Sequence, residues 1–220
     1  MLYLISLFVE IGILFFLSGK ISKTLSRFIS INLLSFIFLP GVIVHELAHL
    51  LMAVVLFVPV GDMEFSPKVI GGTLKLGSVQ IGKTDPIRRA MIGFAPFFAG
   101  LMLIVGIVYF FTANILFFQD KGIYLFAGSI VVMGYFLFVI SNTMFSSKKD
   151  MEGAIEILLA LLIIFVAAYA IGFRVPMDFV SKIPTEKIFQ VVEKSTIFIL
   201  APIVIDLVLL SVIRIFSKRQ

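Results

Sequence analysis

Cysteine and tryptophan are both missing from this 220-residue chain. Without Cys there is no disulfide framework, no thiolate nucleophile and no thiolate metal site, and the redox compartment leaves no mark on the sequence. Charge is scarce as well: Asp, Glu, Lys and Arg make up 14% of residues, against about a quarter in soluble domains, which excludes an ordinary soluble fold. The formal net charge of +5 comes from basic residues scattered through the connections. With no long basic run and no interleaved aromatics, no nucleic-acid partner is expected, and anionic lipid headgroups are the natural counter-charge. Histidine occurs only twice, so any metal site must rest on those two rings and on carboxylates.

What the chain has in abundance is apolar length. Hydrophobic residues make up 60% of it and the mean hydropathy is +1.16. Stretches of about 20 apolar residues, enough to cross a bilayer, recur from end to end. The sequence therefore predicts an all-α polytopic membrane protein, a single membrane-embedded domain over 1–220, with about six transmembrane helices. The expected spans are 1–18, 28–59, 87–111, 122–141, 153–173 and 197–213. The first carries Glu10 and lacks a basic leader or a small-x-small cleavage site, so it is expected to be a retained helix followed by a polar connection, Gly19–Arg27. The second is too long for one straight span, and Pro40-Gly41 should break it, leaving a continuous helix from about Gly41 to Val58. Thr84-Asp85-Pro86 reads as a helix start, and Gly93, Ala95, Ala99 and Gly100 give the helix that follows a small-residue face. Thr185–Lys194 has the spacing of a short helix lying on the membrane surface. The 25 Phe and nine Met are expected to face lipid or to fill helix contacts.

Between the second and third spans the pattern changes to that of a small β-hairpin insertion, about residues 62–83. A two-residue Gly77-Ser78 turn would pair Leu76 with Val79 and Leu74 with Ile81 on one face, and Lys75 with Gln80 on the other.

Both histidines fall within five residues of one apolar span, as His45-Glu46-Leu47-Ala48-His49. Residues four apart on a helix lie one turn above each other, so two imidazoles at this spacing can grip one tetrahedral zinc ion. Glu46 sits about 100° further round, placed to reach a zinc-activated water without being a ligand. Zinc lowers the pKa of such a water to about 7; the glutamate takes its proton and can pass it to a departing amide nitrogen. Ionisable groups inside a bilayer are costly and are usually functional, which weighs against a chance occurrence of the motif. A catalytic zinc needs a third protein ligand. The downstream carboxylates near membrane segments are Asp150, Glu152, Glu156 and Asp206, and Asp150 is preferred because it follows the polar cluster Ser141-Asn142-Thr143…Lys148-Lys149 at a span boundary.

These residues resemble the site-2 protease family of intramembrane zinc metalloproteases, which joins HExxH on a membrane helix to a later NxxPxPxxDG segment. His45 to His49 matches the first motif completely. Asn142 and Asp150 match the second at its spacing of eight. Phe145 and Ser147 stand where the family has prolines, and Met151 replaces the Gly after the Asp, the pattern of a divergent branch. The resemblance covers roughly residues 41–152. It implies His45, His49 and Asp150 as ligands of a Zn2+ cofactor, Glu46 as general base and Asn142 as a substrate-binding residue. It also implies that the β-structure after the HExxH helix pairs with an unwound segment of a membrane-protein substrate. The expected activity is metalloendopeptidase cleavage in or beside a transmembrane segment, by a multi-pass protein of the cell membrane.

Two rival readings share the first motif. In a zinc protease of the CAAX-processing type, Glu152 or Glu156 would replace Asp150. In a catalytically inactive scaffold or metal-binding protein, transmembrane partners would be held without being cut, although a purely structural zinc site has no need of Glu46. Neither the charge distribution nor any motif sets membrane orientation or oligomeric state.

Overall fold

The computed structural model describes residues 2–64, 68–70, 73–75, 77–145, 163–164, 166–167, 170–172 and 185–217. Its elements are α1 (Leu2–Phe28), α2 (Ile31–Val55), β1 (Val60–Glu64), β2 (Lys68–Ile70), β3 (Thr73–Lys75), β4 (Ser78–Ile81), α3 (Pro86–Ala113), α4 (Ile115–Asp120), α5 (Ile123–Thr143) and α6 (Thr185–Ser217). Among the described residues five helical segments are long and apolar enough to cross a membrane: Ile5–Phe28, Ile31–Val55, Pro86–Ala113, Ile123–Thr143 and Ser195–Ile215. The architecture is that of an all-α polytopic membrane protein with a small β insertion. The expected span at 153–173 lies largely outside the described residues.

Three helices run further than their sequence suggests. Gly19–Arg27 is not a connection but the end of α1. Its hydroxyl groups do not compete against the helix, because Ser18, Thr24 and Ser26 each donate to a carbonyl three or four residues back, and its lysines and Arg27 can extend their stems along the surface. α2 passes through Pro40 without a break. A membrane helix tolerates the lost hydrogen bond when its neighbours hold the segment, and Gly41, the next residue, lies hard against α5. Thr185–Lys194 is likewise no separate surface helix but the first part of α6.

The β insertion is also built differently from the expected Gly77-Ser78 hairpin. β2 pairs with β3 in the register Lys68↔Lys75, Val69↔Leu74, Ile70↔Thr73. β1 pairs with β4 as Val60↔Ile81, Met63↔Val79, Glu64↔Ser78. Among the described residues β3 therefore pairs with β2 and β4 with β1, and β3 and β4 are not hairpin partners of each other. Gly77 becomes part of the link between two small ladders. α3 begins as its sequence indicates: Asp85 accepts from the Arg88 backbone N–H at 3.0 Å, with Pro86 at the first helical position. That hydrogen bond holds the Asp85 carboxyl below the usual range.

The core has two main clusters. Leu14 and Leu17 of α1 meet Ile104 and Val108 of α3, Leu137 and Ile140 of α5, and Ile199 and Ile203 of α6. Ile21 of α1 joins Leu34, Phe38 and Val42 of α2 and Phe138 and Val139 of α5, with Leu25, Ile205 and Leu210 packed alongside. Moving from Leu14 to Leu25 on α1 matches moving from Ile199 to Leu210 on α6, so these two helices run parallel.

α2 and α5 also run parallel, in one fixed register. Tyr135 donates its hydroxyl to the Ile37 carbonyl at 2.8 Å, Gly41 meets Val139, and His45 meets the Thr143 carbonyl. The approach depends on Gly41, where a Cβ would stand 2.7 Å from Val139 Cγ1 and 2.8 Å from the Val139 carbonyl oxygen. Gly100 does the same for α3, since a Cβ there would run into the side chain of Met144, just past the end of α5. With no water to drive helices together in a bilayer, close contact through small residues supplies the packing energy.

Candidate metal centre

His45 and His49 lie on the face of α2 turned towards α3 and α5. Each ring is fixed by its Nδ1. His45 Nδ1 donates to the Thr143 carbonyl at 2.6 Å and His49 Nδ1 donates to the Ile92 carbonyl at 2.8 Å. A carbonyl only accepts, so both Nδ1 atoms carry protons and, in neutral imidazoles, both Nε2 atoms carry the lone pairs. Helix chemistry explains why these two carbonyls are at hand. Thr143 is the last residue of α5, and the final carbonyls of a helix lack an intrahelical donor. Ile92 lies four residues before Pro96 within α3, and proline has no N–H to offer the carbonyl one turn back. His49 takes up the acceptor that the proline leaves.

The two Nε2 atoms face each other at 3.2 Å, with the rings near perpendicular at 81°. Two lone pairs at that distance repel unless a cation lies between them. Two nitrogen ligands about 2.0–2.1 Å from a tetrahedral zinc ion are themselves about 3.3 Å apart. The pair thus has the bite of two zinc ligands, with tautomer and ring plane set by the carbonyl contacts typical of metal-binding histidines. His49 and Glu46 are buried, each 5% exposed, and His45 is half-buried.

The Glu46 carboxylate reaches the β insertion. A Cβ added to Gly77 would stand 2.7 Å from Glu46 Oε1 and 2.8 Å from Val42 Cγ1. The backbone at Gly77, linking β3 to β4, therefore lies directly against the carboxylate, and only glycine leaves room for it. The sequence gives no direct sign of this contact, because the same Gly77 reads equally well as a turn residue.

Asn142 occupies the end of α5, one residue before the carbonyl that holds His45. Its Nδ2 donates to Asp206 Oδ1 of α6 at 2.8 Å and to the Phe138 carbonyl at 2.8 Å, while its Oδ1 is buried without a hydrogen-bond partner among the described residues. It also lines a crevice of about 640 Å³ between α1 and the end of α5, beside Ser18, Ser22 and Phe145. Asp206, one of the carboxylates considered as a third ligand, is committed to Asn142. Asp150, Glu152 and Glu156 lie outside the described residues, and among the described residues no third His, Asp or Glu gathers with the two rings. The orienting carbonyls of Thr143 and Ile92 and the roof at Gly77 are absent from the motif reading altogether. Pro96 was the one available signal, a proline within a span that frees a named carbonyl. No family model, no curated protein and no solved structure matches this chain.

Proposed function

We propose that the chain is a zinc-dependent endopeptidase of the cell membrane that cleaves transmembrane or membrane-proximal segments of other membrane proteins. The observation that carries this reading is the convergence of His45 Nε2 and His49 Nε2 at 3.2 Å, each ring held through Nδ1 by a main-chain carbonyl, one helical position from a buried glutamate. The donor set suits zinc: two neutral imidazoles, with Asp150 offered as third ligand by its match to the site-2 protease motif. Bound there, zinc supplies the Lewis acidity that brings a water within reach of deprotonation near neutral pH.

The chain's own residues supply the rest. Glu46 accepts the proton of the attacking water and returns it to the amide nitrogen as the peptide bond breaks. Its burial beneath the β insertion keeps bulk water from competing for the carboxylate. Each two-stranded ladder of the insertion has strands with an edge that no other described strand covers, suited to holding a substrate segment in extended form once it unwinds. The unsatisfied Oδ1 of Asn142 can accept a backbone N–H from that segment.

The test is zinc content per chain, measured in mild detergent for wild type, His45→Ala, Glu46→Gln and Asp150→Ala, together with cleavage of a panel of single-span substrates. Expected are about one zinc in wild type and in Glu46→Gln, its loss in His45→Ala and its weakening in Asp150→Ala. Cleavage should fall by about 10²–10⁴-fold in Glu46→Gln. Folded wild type that binds no zinc overturns the proposal. Zinc retained in full by Asp150→Ala overturns the third ligand, and zinc binding with no cleavage of any panel member points to a scaffold.

A further inference from the structure

On the far side of the bundle from the histidines, α1 and α6 leave a groove of about 960 Å³ along their outer face. Its lining divides by chemistry. One end holds Lys20, Arg27 and Arg214 with the hydroxyls of Thr24 and Ser211; the remainder is apolar, with Ile13, Phe16 and Leu207 among its walls. Lys20, Thr24 and Arg27 are four and three residues apart and share one face of α1. Arg214 reaches the same place because α6 runs parallel to α1, so both helices bring their basic ends to one level.

Among the described residues no acid lines the groove. The two acids within the spanning parts of these helices, Glu10 and Asp206, are turned inward, at 6% and 0% exposure. Among the described residues none of the three basic side chains forms an ion pair; the pair seen there is Arg88 with Asp85. The Lys20 ammonium instead stands 5.7 Å from the centre of the Phe16 ring, lying back along the apolar wall. From Lys20 down to Val9, at the apolar end, α1 rises about 16 Å, close to half of a hydrocarbon core about 30 Å thick. The floor has room, since a Cβ on Gly12 would meet nothing within 4 Å.

We propose that this groove is a binding site for one anionic glycerophospholipid, its phosphate held by Lys20, Arg27 and Arg214 and an acyl chain lying along the apolar part of the same leaflet. Three cations within about two helical turns of one another, with no described acid facing them, need an anion that the described residues do not provide. A groove one leaflet deep beneath them selects an anion carrying a hydrocarbon chain. Arginine suits the role because its fork grips phosphate oxygens two at a time, and a lysine adds a mobile point charge.

The test uses the full chain, purified in mild detergent and stripped of co-purified lipid, then titrated with phosphatidylglycerol or phosphatidylcholine of identical acyl chains. Bound lipid is counted by native mass spectrometry. Expected is a single tight phosphatidylglycerol site, preferred over phosphatidylcholine by a factor on the order of a hundred, since each basic residue near an anionic lipid contributes about a fivefold gain. The variant Lys20→Gln/Arg27→Gln/Arg214→Gln should erase the preference. Gly12→Leu, which fills open space and spares the fold, should weaken both lipids while keeping the charge. Equal retention of the two lipids by wild type overturns the proposal, as does unchanged phosphatidylglycerol binding in Gly12→Leu. Displacement of the lipid by millimolar glycerol phosphate also overturns it, for that would mark a site that reads the headgroup alone.

Discussion

The two sides of this bundle hold together by different means. Where α2, α3 and α5 meet, backbones come close enough that Gly41 and Gly100 have no room for a methyl group, and main-chain carbonyls reach across to both histidine rings. Along α1, a Cβ on Gly12 or Gly19 would meet nothing within 4 Å, and contact with α6 is made by aliphatic side chains such as Leu14, Leu17, Ile199 and Ile203. Close contact at glycines falls in the half that holds the histidine pair. A pair of nitrogens must be fixed to a few tenths of an ångström to grip a metal, whereas a lipid-facing groove needs only depth and charge.

The sharpest way to break the contrast is to put the same side chain at glycines on both sides. Gly41→Val should cost about 3 kcal/mol or more, the upper range for overpacking, and should lower zinc affinity although residue 41 is no ligand. Gly12→Val should leave the thermal midpoint and zinc binding unchanged. If both variants behave alike, the two halves do not differ in the way described.

Next in size is Asn142→Ala, which strands the buried carboxyl of Asp206. A loss of about 1–3 kcal/mol is expected, read as a fall in thermal midpoint before any substrate is added. Removing the acid as well, in Asn142→Ala/Asp206→Ala, should recover part of it. A fall in cleavage at unchanged stability would instead make Asn142 a contact for substrate alone.

Pro96→Ala separates fold from site. It restores an N–H that competes for the Ile92 carbonyl, so the helix should be as stable as before or more so. Zinc affinity should drop about tenfold, the low end for disturbing an outer partner of a metal ligand. Unchanged affinity would mean that His49 does not depend on that carbonyl. Smallest of all, Tyr135→Phe removes one hydrogen bond between α5 and α2 and should cost about 1 kcal/mol, with zinc binding intact.

The sequence was most legible where a pattern is local. The pairing of His45 and His49 on one helix face needs only the helical period, and the membrane-crossing stretches need only length. It was less legible where one signal had two meanings. Gly77-Ser78 reads as a two-residue turn, and only the pairing of β1 with β4 and of β2 with β3 shows that β3 and β4 are not hairpin partners. Pro40 and the charges of Lys20, Lys23 and Arg27 looked like helix boundaries because that is their effect in water, where a freed carbonyl or a charged stem finds solvent at once. Within a bundle, neighbouring helices and long side chains absorb them. The hold of the α5 end and of Ile92 on the two rings was least legible, since it links residues 98 and 43 positions apart.

The groups that aim both imidazoles belong to the main chain, and this has a genetic consequence. Every amino acid carries a carbonyl, so replacing the side chain of Thr143 or Ile92 leaves the orienting oxygen in place. On the proposed function, a scan of single substitutions would score His45, Glu46 and His49 as essential and pass over the two positions that set the aim of the rings. Control of the rings lies in the path of the backbone, and it is exposed to mutation only at the glycines that let the helices meet and the proline that frees a carbonyl.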